Sequence, residues 1–300
     1  MTESRFQGVY PVVLTPLKAD YSVDASALQK SLDYLIRKGI HGLLILGSNG
    51  ESPYLTDAER REVIAASMEV SKGRVPVVVG TTYMGTDQTL ELGTFARKAG
   101  ADALLSALPI YYPLEEEEVF HHYQVLSDEL DMPILYYNFP MATNLTLSPE
   151  QIHRLSTIPN IRGVKESIAD LSEVGALVEL TRGTSFDVLS GTSINFFYAL
   201  QVGAHGVICP LANLIPETLV SLWDSLHRGE MKEAEEKQFS FPELVTIFAS
   251  TMRPHAMMKE AMRLLGHDMT PVVKRPLPQL TDHQKGFVRE NLVKAGMIEG

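Results

Sequence analysis

Cysteine is almost absent. Cys209 stands alone among 300 residues, so no internal disulfide can form, and a reducing compartment is the expected setting. Basic side chains are the minority, 26 against 37 acidic ones, and they form no dense cluster, which sets nucleic acid aside as a partner. No apolar run approaches the length that spans a bilayer, and the first residues, Met1 to Phe6, lack the apolar stretch of a secretory signal. The expectation is a cytoplasmic protein with no membrane attachment. Also missing are linkers, low-complexity tracts and charge blocks that would divide the chain.

What is present is a repeated grammar. From residue 8 to about residue 228, a short Val/Ile/Leu-rich run is followed by a turn and then by an amphipathic segment of helical period. The apolar runs are Val9 to Leu14, His41 to Leu46, Val75 to Val79, Ala103 to Ser106, Ile134 to Tyr137, Ile161 to Lys165, Phe186 to Leu189 and Gly206 to Cys209. Between them the pattern predicts helices over Ala25 to Arg37, Asp57 to Ser71, Asp87 to Ala99, Glu115 to Leu130, Pro149 to Ser156 and Ile194 to Gln201. Thr56-Asp57-Ala58-Glu59 reads as a capping box, Pro149 suits a first helical position, and Gly39, Gly73 and Gly100 follow helix ends.

Strands apolar throughout need cover on both faces, and strict strand–helix alternation implies a parallel sheet. Eight such units predict an α/β fold, a (β/α)8 TIM barrel, over residues 1–228. A doubly wound open sheet is the competing arrangement, but no Gly-x-Gly-x-x-Gly follows the first strand. Residues 229–300 contain no strand-like run and read as an appended C-terminal helical extension with helices over Met231 to Ala249, Pro254 to Leu265 and Asp282 to Ala295.

In a barrel of this kind the C-terminal ends of the strands share one rim, where active sites lie. The sixth run closes on Gly163-Val164-Lys165-Glu166, placing an amine among apolar neighbours, where lost solvation lowers its pKa and leaves free amine to attack a ketone. Taken alone, Lys165 also reads as a surface lysine just past a strand. The second run ends in Gly47-Ser48-Asn49-Gly50-Glu51-Ser52, either a tight turn whose N–H groups hold a carboxylate or a plain β-to-α turn. The fourth leads to Leu108-Pro109-Ile110-Tyr111-Tyr112, and the fifth closes with Tyr137-Asn138-Phe139-Pro140. A tyrosine there is a packing residue or, with hydroxyl partners, a proton shuttle.

These motifs in this order, with Ser190-Gly191 and Gly206-Val207-Ile208, resemble the dihydrodipicolinate synthase/N-acetylneuraminate lyase family of class I aldolases, over essentially the whole chain. The resemblance implies a barrel with C-terminal helices, commonly a homotetramer or else a dimer, that binds pyruvate or another 2-oxo acid as a Schiff base and joins it to, or cleaves it from, an aldehyde. It makes Lys165 the imine-forming lysine and Tyr137 the proton-transfer tyrosine. Ser48 and Asn49 would grip the 2-oxo acid carboxylate, Ser48 and Tyr111 would form a hydroxyl relay with Tyr111 reaching across a subunit interface, and the Ile208 backbone would lie near the bound acid. Neither a metal nor a cofactor is implied, since the protonated imine is the electron sink.

Two departures bear on the substrate. Dihydrodipicolinate synthases carry an arginine where Ala142 stands, so Tyr137 to Thr143 looks closer to 2-keto-3-deoxygluconate aldolases, with Thr143 available to a substrate hydroxyl. The stretch Ser190-Gly191-Thr192-Ser193 lacks the acidic residues that sugar-acid lyases, and the synthases, often place there. Gly191 and Thr192 are both assigned to the substrate site, and a hydroxylated tail would have only Thr143, Thr192, Ser193 and Asn195 as partners, all neutral. The second feature tempers the first: it suits a sugar acid less tightly held, or a smaller and more apolar aldehyde portion, and the expected substrate is a 2-oxo acid with at most a few hydroxyls. The competing functions are 4-hydroxy-tetrahydrodipicolinate synthase, a dehydratase or deaminase using the same imine, and a non-catalytic barrel that binds a 2-oxo acid.

Other candidates read as structural. His121 and His122 beside Glu115 to Glu118 point in different directions on one helix, and the glutamates suit a first turn. Cys209 reads as core, and so do Met252, Met257, Met258 and Met262, which alternatively line a subunit interface.

Overall fold

The computed structural model describes residues 6–107, 111–251 and 253–300. Eight parallel strands follow the eight apolar runs: β1 (Gly8–Pro11), β2 (Leu43–Ile45), β3 (Val77–Gly80), β4 (Ala103–Ala107), β5 (Ile134–Asn138), β6 (Ile161–Glu166), β7 (Asp187–Ser190) and β8 (Gly206–Cys209). Pairing is sequential from β2 through β8 and on to β1. Between β1 and β2 the ring is drawn together by a parallel bridge, Val12 with Leu44, and by the Val13 N–H donating to the Leu44 carbonyl at 2.8 Å. The architecture is therefore the expected (β/α)8 barrel, with helices outside and strands buried on both faces.

The outer layer comprises α1 (Ala25–Arg37), α2 (Asp57–Ser71), α3 (Thr86–Ala99), α4 (Glu116–Leu130), α5 (Pro140–Thr143), α6 (Pro149–Leu155), α7 (Leu171–Leu180), α8 (Phe196–Gln201) and α9 (Pro216–His227). Local chemistry sets their ends. Thr56 and Glu59 form the reciprocal cap predicted for α2, and Ser148 caps α6 with Pro149 in the first turn. Gly100 closes α3 at φ 101°, a left-handed conformation that a Cβ disfavours. Glu115, expected inside α4, is its capping residue instead, and its capping box with Glu118 explains the shift.

The C-terminal layer differs from expectation. The single helix predicted over Met231 to Ala249 is two, α10 (Met231–Gln238) and α11 (Pro242–Ala249). Pro242 supplies no N–H, and its ring would clash with the carbonyl four residues earlier, so the helix stops and restarts. α12 (His255–Leu264) and α13 (Asp282–Lys294) complete the layer. Its apolar faces join one core with the barrel: Val9, Val207 and Cys209 share a cluster with Leu244, Ile247, Met258, Met262, Val288 and Leu292. Met257 is buried there too, while Met252 lies outside the described residues. Among the described residues no helix is long and apolar enough to cross a membrane.

Candidate active site

Parallel pairing in register sets Tyr137 on β5 beside Lys165 on β6. Both point into the barrel mouth. The Lys165 Nζ lies 4.1 Å from the centroid of the Tyr137 ring, and the Tyr137 hydroxyl is 3.5 Å from the Ser48 hydroxyl. Lys165 is 2% exposed and Tyr137 6%. Among the described residues the Lys165 amine makes no hydrogen bond and no ion pair, so its nitrogen lone pair, once free of its proton, has no competing partner.

Above them is a cavity of about 220 Å³ whose walls include Ser48, Asn49, Tyr137, Lys165, Gly191 and Thr192. Six of the residues assigned from the sequence thus meet around one space. Phe139, Ser167, Ser193 and Ile194 line it as well, as do Val245 and Ala249 of α11. Ser193 is among the neutral partners expected from the sequence; sequence reasoning missed the others. Phe139 lies within the Tyr137-Asn138-Phe139-Pro140 motif and stacks on Tyr137 at 5.2 Å, but no local signal in α11 points to a site wall.

The turn after β2 has the geometry of an anion cradle. Gly50 N–H donates to the Gly47 carbonyl and Glu51 N–H to the Ser48 carbonyl, each at 3.0 Å. The N–H groups of Ser48 and Asn49 have no acceptor among the described residues. Two adjacent free donors at the wall of a cavity are suited to a carboxylate. The turn closes at Glu51, which adopts φ 61° and is completely buried. Its carboxylate pairs with Lys259 of α12 and accepts the Lys274 N–H at 2.6 Å, while Lys259 also donates to the Val272 carbonyl at 2.8 Å. The His255 Nε2, also on α12, lies 3.1 Å from the Ser48 carbonyl oxygen.

Behind Lys165, strand alternation turns Glu166 away from the barrel mouth. The Asn138 amide donates to Glu166 Oε2 at 2.7 Å, the Ile168 N–H donates to Oε1 at 2.7 Å, and the Tyr136 hydroxyl donates to Asn138 Oδ1 at 3.1 Å. Burial pushes the Glu166 carboxyl up to about 7, against the opposing pull of the Asn138 and Ile168 hydrogen bonds. Gly191 is needed where β7 ends: a Cβ there would come within 2.1 Å of Ser167 Oγ and 2.9 Å of the Glu166 carbonyl oxygen.

Three assigned residues lie elsewhere. Tyr111 is 72% exposed and packs edge-on against Tyr112, away from Ser48 and Tyr137 within the single chain; Pro109 falls outside the described residues. Ile208 is fully buried in the barrel interior with Tyr137 and Leu189 and does not line the cavity. Thr143 lines a smaller neighbouring cavity of about 80 Å³ with Leu46, Leu105, Ala107, Phe139 and Ala142. Its hydroxyl faces the carbonyls of Phe139 and Leu145 at 3.1 and 3.0 Å, which engages its proton and leaves lone pairs for a ligand. His122 is buried against the Thr86 hydroxyl while His121 faces solvent, so the pair diverges. Cys209 is core, and burial pushes its thiol up to about 11.

The profile of the dihydrodipicolinate synthetase family matches residues 5–295. Among similar proteins, the 4-hydroxy-tetrahydrodipicolinate synthase of Methanoculleus marisnigri is 34% identical across 97% of this chain and 100% of its own. That of Methanocaldococcus jannaschii is 32% identical across 98% and 100%. Among solved structures, YagE of E. coli K12, a prophage protein of the dihydrodipicolinic acid synthase family crystallised with pyruvate, superimposes with a TM-score of 0.95 at 27% identity, covering 98% of this chain and 100% of that one. The dihydrodipicolinate synthase of Aquifex aeolicus gives 0.92 at 28% identity, covering 98% and 100%.

Proposed function

The chain belongs to the dihydrodipicolinate synthetase family, carbon–carbon lyases that work through a lysine Schiff base, and on that premise we propose that Lys165 forms an imine with pyruvate or a related 2-oxo acid, which is then joined to or released from an aldehyde. One observation carries the reading: a nearly buried amine, unpaired among the described residues, beside a tyrosine whose hydroxyl is within reach of a second hydroxyl.

The roles follow from position. The amine attacks the C2 carbonyl and water leaves, giving an imine that accepts electron density when a C3 proton departs or the C3–C4 bond breaks. The free N–H groups of Ser48 and Asn49 receive the carboxylate. Tyr137 takes the C4 hydroxyl proton during cleavage and returns it during condensation, with Ser48 as its neighbour in the relay. The reading requires no metal and no cofactor. The exposed Tyr111–Tyr112 pair suits a homo-oligomer in which Tyr111 serves a neighbouring subunit's relay.

The names of the relatives favour a narrower reading, 4-hydroxy-tetrahydrodipicolinate synthase, over the sugar-acid aldolase suggested by Tyr137 to Thr143. That product is a dicarboxylate, so the aldehyde partner would bring a carboxylate of its own. Against this stands the lining of the two cavities, where Lys165 is the only cationic side chain among the described residues and Ala142 is neutral. Borohydride trapping with pyruvate, followed by peptide mapping, tests the imine: an adduct on Lys165 supports it, and none on folded protein overturns it. Assay of the trapped enzyme's parent with aspartate 4-semialdehyde and with uncharged aldehydes then separates the synthase from the broader lyase.

A further inference from the structure

The Ser48 carbonyl is held from two sides. Glu51 N–H reaches it from within the turn at 3.0 Å, and His255 reaches it from α12 at 3.1 Å. A carbonyl oxygen carries no proton, so the His255 Nε2 must be the donor. The imidazole is then the Nε2–H tautomer, and its other nitrogen, buried without a partner among the described residues, is the bare one. Burial lowers the pKa of His255 and keeps the ring neutral, Glu51 opposes this, and Lys259 and Arg253 reinforce it.

A peptide unit is planar and trans, so a carbonyl and the following N–H point in opposite directions. Fixing the Ser48 carbonyl toward α12 therefore aims the Asn49 N–H away from α12. Asn49 lines the cavity that Lys165 also lines, and its N–H has no other acceptor among the described residues. The turn has little freedom to compensate for a lost contact. Its closing residue Glu51 is clamped by Lys259 and by the Lys274 N–H. His255 and Lys259 stand four residues apart on one helix, which puts both on the face that meets this turn.

We propose that His255 is a positioning residue of the lyase reaction: through the Ser48 carbonyl it sets the direction of the Asn49 N–H and thereby the affinity of the site for the carboxylate of the 2-oxo acid. The proposal rests on the imine reading above. It assigns a catalytic contribution to the C-terminal layer, by a side chain that touches neither substrate nor Lys165.

The test compares the wild type, His255→Leu and His255→Gln in borohydride trapping at Lys165 over a range of pyruvate concentrations, with acetone as a ketone that has no carboxylate. Leucine fills the space without a donor, and glutamine restores an N–H. For His255→Leu the half-saturating pyruvate concentration rises roughly five- to tenfold, as expected for one lost hydrogen bond. The trapping rate at saturation stays within about twofold. His255→Gln recovers most of the loss, and acetone is trapped alike by all three proteins. A wild-type pyruvate dependence in His255→Leu overturns the proposal, and so does an equal effect on acetone or failure of His255→Gln to differ from His255→Leu. If the wild type traps no 2-oxo acid, the imine reading itself falls. The crystal structure of His255→Leu then decides the positioning claim: a Ser48–Asn49 peptide in its original plane overturns it, and a rotated one upholds it.

Discussion

Glu51 and Lys259 are each completely withdrawn from solvent and are bound to each other, one in the turn that follows β2 and the other on a helix outside the barrel. Removing either partner leaves the other charge buried and unmatched. Lys259→Met is expected to cost about 3–5 kcal/mol of unfolding free energy. Replacing both residues by apolar ones recovers a large part of that. Chemical denaturation of the single and double variants measures it, and a single variant as stable as the wild type contradicts the assignment.

Lys165→Ala removes the nucleophile and abolishes borohydride-dependent adduct formation with pyruvate. Tyr137→Phe keeps the amine, so trapping persists, while turnover of a cleavable 2-oxo acid falls by roughly a hundredfold or more. Intact mass and steady-state rates report the two effects separately. Unchanged turnover in both variants would sink the catalytic reading.

Glu166 gives stability a definite pH dependence. Its carboxyl is raised by burial from 4.5 to about 7, so between those values the folded protein holds a proton that the unfolded chain has released. Stability contributed at this site therefore falls as pH rises through that window and is flat below it. Urea denaturation at several pH values shows a steeper decline for the wild type than for Glu166→Gln, and parallel profiles would refute the burial argument.

Ala142→Arg places a cation at the rim of the smaller cavity. If the aldehyde end of the substrate lies there, the variant shifts kcat/KM toward carboxylate-bearing aldehydes by about tenfold or more relative to uncharged ones, the scale of one charge-assisted hydrogen bond. An unaltered ratio would put the aldehyde elsewhere.

The barrel was legible because its strands are short, apolar throughout and separated by amphipathic segments. Period and length therefore located all eight, and β8 matched to the residue. The core of the site was legible because strand ends converge on one rim. The chain contains three apolar-Lys-Glu steps; Lys232 of Met231-Lys232-Glu233 is exposed, whereas Lys165 of Val164-Lys165-Glu166 and Lys259 of Met258-Lys259-Glu260 are both almost wholly buried. Only the surrounding period separates them. The strand presents Lys165 to the barrel mouth, whereas the helix delivers Lys259 to a carboxylate. What stayed hidden depends on contacts between distant segments: the wall from Val245 and Ala249, the donor from His255, and the network joining Tyr136, Asn138 and Glu166. The break in the first tail helix was signalled by Pro242, whose effect outweighs the amphipathic period on either side.

The placement of Val245 and Ala249 divides labour in the molecule. Bond making belongs to strands that cannot change without disturbing the ring, while part of the cavity wall belongs to a helix that follows the last strand. Exchanging α11 between relatives would thus be a route to new aldehyde preferences that leaves the lysine and its tyrosine untouched.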